Sequence, residues 1–222
     1  MKVLIVYAHP EPQSFNGALF DTAIDTLEAA GHTVMTSDLY AMGFDPVSDR
    51  RNFLDMGNPD YLSLRHEQLI ASETDTFAAE IDGEMAKLEE AELLLFQFPL
   101  WWFGMPAILK GWVDRVFALG RIHTPGYTHR EGRFAGRKAL LSLTTGEPAS
   151  AFHPDAPCGD MDTLLAPIAH GMLHYVGFDV LQPAIFHAPQ QVAEAVRDQW
   201  LNEWAARLTT VELETPVIGA TR

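Results

Sequence analysis

The 222 residues hold thirty acidic and fifteen basic side chains, a formal charge of −15, which sets the mean field against nucleic acid and against an anionic bilayer. Hydrophobic residues at 47% and charged residues at 20% are ordinary globular composition, and with no Pro/Gly/Ser linker a single domain over residues 1–222 is expected, ending in a C-terminal tail. One cysteine, Cys158, excludes an internal disulfide and a cysteine-based metal cluster; with no basic leader and no apolar run near the ~20 residues of a membrane helix, a cytoplasmic location is expected.

Residues 3–7 are a continuous apolar run, suited to a strand buried on both faces. A polar segment follows at 9–14, and then Leu19, Phe20, Ala23, Ile24 and Leu27 recur at helical spacing until Gly31. Val34, Met35 and Leu39 mark a second strand at 32–38. From 40 to 74 the periodicity fades, with Gly43, Pro46, Gly57 and Pro59 marking turns. So long an excursion is uncommon in a compact domain; it is either a cover over a site or partly helical around 61–70.

A helix at 77–91 carries Ile81, Met85, Leu88 and Ala91 on one stripe, and a strand follows at 93–98. Pro106 suits a first helical turn, after which Ile108, Leu109, Trp112, Val113, Val116 and Phe117 form a broad apolar face. Lys110, Asp114 and Arg115 read as its solvated side or as an interface salt bridge. A strand at 138–144, a helix at 161–176 interrupted by Pro167, a strand at 178–186 disturbed by Pro183 and a closing helix at 192–208 complete the order. Pro183 places the last strand at an edge. Strands alternating with helices predict an α/β three-layer sandwich, a five-stranded parallel sheet with helices on both faces.

Ligands of such sheets lie beyond the carboxyl ends of the strands. Three segments leave those ends. In the first, His9 precedes a turn fixed by Pro10 and Pro12, Ser14 is a candidate N-cap, and Phe15 and Asn16 open a helix whose start can cradle phosphate. The spacing is neither GxGxxG nor GxxxxGK[ST], which disfavours a P-loop and the double mononucleotide fold. In the second, Leu100, Trp101, Trp102 and Phe103 offer backbone groups and rings to a large planar ligand. In the third, Thr144, Thr145, Gly146 and Glu147 offer hydroxyls and close backbone approach. Tyr127, His129, Phe152, Cys158 and Tyr175 are candidate walls. No histidine forms a metal-binding spacing, so no metal site is expected; no GxSxG elbow occurs.

YAHPEPQSFN at 7–16, SDLYAMGFDPV at 37–47, FQFPLWWFGMPAILKGWVDRVF at 96–117, SLTTG at 142–146, GDM at 159–161 and HYVGFDVLQP at 174–183 together resemble the flavodoxin-like NAD(P)H:quinone oxidoreductases, the DT-diaphorase family. The resemblance implies a homodimer with noncovalent FAD, FMN being possible, that reduces quinones by two electrons from NADH or NADPH in ping-pong fashion. It implies that His9, Phe15 and Asn16 meet the flavin phosphate and ribityl chain, Leu100 to Phe103 the ring, and Thr144 to Glu147 the ring's opposite edge. Trp102, Phe103 and Tyr175 would enclose the acceptor or nicotinamide.

Three positions and one loop depart from the family. Where well-known members carry a tyrosine and, six residues on, a histidine, this chain has Phe152 and Cys158, so their side-chain proton relay is missing and Tyr127, water or backbone N–H groups would replace it. TTGG is here TTGE, which sets Glu147 against anionic acceptors. The loop 120–133 also differs, with Arg121, Arg130 and Arg133 as candidates for a coenzyme phosphate. The alternatives are an azo- or nitroreductase using FMN or FAD, and a flavin-bearing regulatory partner of a membrane antiporter.

Overall fold

The computed structural model describes residues 1–219, and residues 220–222 of the expected tail lie outside them. In chain order the main elements are β1 (Lys2–Tyr7), α1 (Phe15–Ala29), β2 (Thr33–Asp38), α2 (Leu64–Thr74), α3 (Ala79–Glu90), β3 (Leu93–Pro99) and α4 (Ala107–Val116). Then follow β4 (Lys138–Thr145), α5 (Met161–Ile168), β5 (Asp179–Val180), β6 (Ala184–His187) and α6 (Glu194–Leu208). The sheet runs β2-β1-β3-β4, with β5 and β6 both on the outer edge of β4 and every pair parallel.

The expected fifth strand is therefore one edge position filled by two short segments. β5 pairs Asp179 with Lys138, Leu181 still donates to Ala139 O, and β6 resumes with Ala184 opposite Ser142. Pro183 between them has no N–H to continue the ladder. A proline also explains the other departure. The helix expected at 161–176 holds α-geometry to Ile168 and then winds as a π-helix over Ala169–His174, just after Pro167, which cannot donate back to Thr163.

Alternation along the strands makes two cores. Leu4, Val6, Phe96, Phe98, Leu141 and Leu143 face α3, α4 and α5, whereas Val3, Ile5, Leu93, Leu95 and Leu140 face α1 and α6. Trp112 is fully buried edge-on to Phe96, and its Nε1–H donates to the buried carboxylate of Glu84, which also accepts from Ser37 Oγ and Lys87 Nζ. That carboxylate is paired and fully bonded, the condition under which burial is tolerated.

The excursion takes the helical reading. α2 forms within it, and the rest is bound to the scaffold. Arg115, expected on a solvated face or in an interface salt bridge, is 4% exposed. It donates to Asn52 Oδ1 at 2.7 Å, to Asp45 O and to Glu80 Oε2, and lies over the Phe44 ring. Gly111 allows this closeness, since a Cβ there would sit 2.3 Å from Pro46. Glu67 is buried and accepts the Gly57 and Asn58 N–H groups, closing the far end.

Candidate active site

β1 and β3 are neighbours whose connections depart to opposite sides, the switch point at which α/β sheets open a crevice. A cleft of about 770 Å³ lies there, lined from the ends of β1, β3 and β4 and from α6.

Its first wall is the turn after β1. Ser14 caps α1, its Oγ accepting the Gly17 N–H at 3.1 Å. The turn lies so close over the first helical turn that a Cβ at Gly17 would stand 1.9 Å from Pro12 O. His9 Nδ1 lies 3.0 Å from both Glu11 N and Glu11 O, which ties the ring to the turn. The cleft thus receives a helix N-terminus, with its partial positive charge, beside an imidazole.

The second wall is the turn after β3. Trp101 and Gly104 exchange both backbone hydrogen bonds at 3.0 Å, closing a two-residue hairpin. Trp102 (φ 50°) and Phe103 (φ 61°) occupy its two central positions, both left-handed. Such turns favour Asn-Gly, and bulky residues there cost of order 1–3 kcal/mol each. Trp102 is nonetheless 96% exposed, so no burial within the chain offsets the strain. Held strain with the ring in the open is the signature of a site.

The third wall continues from β4. Asn16 Nδ2 donates to Thr144 Oγ1 at 2.7 Å, and Leu100 N–H donates to Thr144 O at 2.8 Å, so the three segments are joined directly. Thr145 Oγ1 donates to Glu147 O at 2.6 Å and contacts His187 Nδ1 at 3.1 Å; with its proton spent, the hydroxyl accepts from Nδ1–H. Burial pushes the His187 imidazole below its ordinary pKa. Gln190 and Gln191 both donate to Gly146 O.

His9, Ser14, Phe15, Asn16, Leu100, Trp101, Trp102, Thr144, Thr145 and Gly146 come together in the lining. Phe103 and Glu147 stand beside it in the same turns without lining it. Tyr127 and Tyr175 do not line the cleft, and Tyr175 packs its ring 6.0 Å from His123 and 5.7 Å from His129. Phe152 packs 5.4 Å from His187, and the Cys158 N–H closes the same loop onto Ala151 O. Arg121 and Arg133 are engaged with Glu89 on the surface. Among the described residues, nothing from 40–74 lines the cleft.

Sequence reasoning missed the wall made by Pro189, Gln190, Glu194, Arg197, Asp198 and Leu201. Arg197 is the one permanent cation in the lining among the described residues; its Nη1 donates to Pro189 O and Val192 O, leaving Nε and Nη2 without protein partners. The signal was positional: α6 begins just past the carboxyl end of β6, so its first turns must border the ligand edge.

The family model for the flavodoxin-like fold matches residues 1–208. The human ribosyldihydronicotinamide dehydrogenase [quinone] is 43% identical over 97% of this chain and 94% of its own. The guinea pig NAD(P)H dehydrogenase [quinone] 1 is 40% identical over 99% of this chain and 80% of its own. A crystal structure named as a quinone reductase of Klebsiella pneumoniae superposes with a TM-score of 0.91 at 40% identity, covering 98% of this chain and 87% of that one. A flavodoxin-like fold with its site at the strand ends defines the class. Within it, the chain belongs to the NAD(P)H:quinone oxidoreductase family.

Proposed function

We propose that this chain is a flavin-dependent NAD(P)H:quinone oxidoreductase working by ping-pong exchange, with FAD held noncovalently in the cleft. The observation that carries the reading is the convergence of three strand-end segments on one cleft with an anion pole and an aromatic pole. The residues fit the cofactor. The capped start of α1, His9 and Arg197 suit phosphate oxygens; Leu100 and Trp101 supply main chain beside the ring; and Thr144, Thr145 and Gly146 supply polar groups along its other edge. A flavin held there would supply two-electron hydride chemistry between a nicotinamide and a quinone. Trp102, exposed above the turn, provides a surface on which each flat partner stacks in turn.

The extension of the cleft along α6 to Asp198 and Leu201 supports FAD over FMN, because a mononucleotide at the strand ends leaves that wall without a ligand. Phe152 cannot move a proton and is packed on His187, so proton delivery falls to solvent, with main-chain N–H groups limited to hydrogen bonding. Large aromatics exposed at Tyr127 and Tyr175, outside the cleft lining, support a homodimer that covers them.

Identification of the flavin released from native protein tests the cofactor, and FAD is expected. Arg197→Met should weaken FAD by about ten- to a hundredfold, the range of a hydrogen bond to a charged group, and FMN less. Equal weakening of both would confine Arg197 to a site common to both flavins. Finding only FMN would remove the argument from α6. A broad acceptor panel tests the substrate class: far higher catalytic efficiency with azo dyes than with benzoquinones or naphthoquinones would reassign it.

A further inference from the structure

We infer that Gln97, which never reaches the cleft, is the positioning residue that sets the hydrogen-bond polarity of Thr144 toward the ligand. The inference rests on the flavin reading above and adds a residue to it.

Gln97 sits near the carboxyl end of β3 at 0% exposure, between Tyr7 and Ser142 in register. The strand's alternation puts it on the side of Leu93 and Leu95, within the core beneath α1. A leucine there would continue the pattern. The amide is instead buried with its Oε1 making no protein hydrogen bond among the described residues. An unpaired buried acceptor is destabilising. Tyr7 OH and Ser142 Oγ, the neighbours of Gln97 in register, are likewise buried without a protein partner among the described residues, so the one hydrogen bond the side chain makes is at the other end of the amide.

Nε2 of Gln97 donates to Asn16 Oδ1 at 2.9 Å. An amide whose oxygen is taken presents its nitrogen on the opposite side, and Asn16 Nδ2 donates to Thr144 Oγ1 at 2.7 Å. Having accepted that bond, Thr144 keeps its own hydroxyl proton, for which the described residues provide no acceptor. Thr144 and Asn16 both line the cleft, at 6% and 3% exposure. The relay therefore aims a donor at the ligand, suited to a carbonyl oxygen or ring nitrogen at the flavin's polar edge. Without Gln97 the Asn16 amide can reverse. Its oxygen would then take the Thr144 proton, and the cleft would lose its donor.

The experiment is a double-mutant cycle on FAD affinity, using protein stripped of flavin, with Gln97→Met and Thr144→Val. Gln97→Met, nearly isosteric, should weaken FAD about tenfold in the wild-type background and by less than about twofold when Thr144 is already valine. Gln97→Leu should repeat the pattern and replaces the methionine variant if that one does not fold. Additive losses in the two backgrounds, or unchanged affinity in Gln97→Met, would overturn the relay. Wild-type protein that takes up no flavin would instead overturn the functional reading on which it rests.

Discussion

Trp102 concentrates the energetics of this site in one residue. Its ring is exposed and its backbone is left-handed, so the fold pays for a conformation from which the isolated chain gains nothing. Trp102→Asn places a residue tolerant of that backbone in the turn. It should stabilise the flavin-free protein by about 1 kcal/mol, roughly 2–4 °C in Tm, while lowering kcat/KM for quinones by tenfold or more. A Tm that falls would return the indole to a packing role. His187 and His123 carry a different signature. Burial lowers both imidazoles, and for His123 the charge of Arg65 adds to it. Below the unfolded value of about 6.5, the unfolded chain then binds more protons than the folded one. Stability is thus full above that pH and lost as pH falls through the window beneath it. His187→Asn should flatten the decline in Tm between pH 7.5 and 5.5; an unchanged slope would deny His187 a share.

At the scale of elements, the excursion shows how a long aperiodic segment is held. Arg115 of α4 reaches Asp45, Asn52 and Glu80, joining the excursion to α3 and α4 through one buried guanidinium. Arg115→Met leaves the buried Asn52 Oδ1 unpaired and takes a partner from Asp45 O and Glu80, and a loss of about 2–3 kcal/mol is expected. Limited proteolysis should then cut within 40–62 faster than elsewhere. Uniform digestion would mean that the segment is held by its apolar contacts alone. The two prolines make a complementary point: Pro167 and Pro183 were visible as interruptions, but a slip into a π-helix and the division of an edge strand are tertiary outcomes that no local pattern specifies.

Across the whole molecule, the parallel sheet, the helices on both faces and the three strand-end segments were readable because buried strands and amphipathic helices have different periods. Ser14 as a cap followed from its place before an apolar repeat. Arg115 was misread as a solvated-face or interface residue because the partners that hold it lie 35 to 70 residues away in sequence. Arg197 was missed because α6 has little amphipathic contrast and its ligand-facing turns look like any charged helix. Gln97 was hidden inside a strand that reads as core, where only the coordinates reveal what its amide touches. Among the described residues no helix is long and apolar enough to cross a membrane.

An anaerobic absorption titration of the purified native protein tests the central claim most directly. The account predicts a bound flavin spectrum that bleaches with NADH or NADPH and returns in full when one equivalent of a benzoquinone or naphthoquinone is added. A protein that neither carries nor takes up flavin, or whose bound flavin is left unchanged by both nicotinamides, would contradict it.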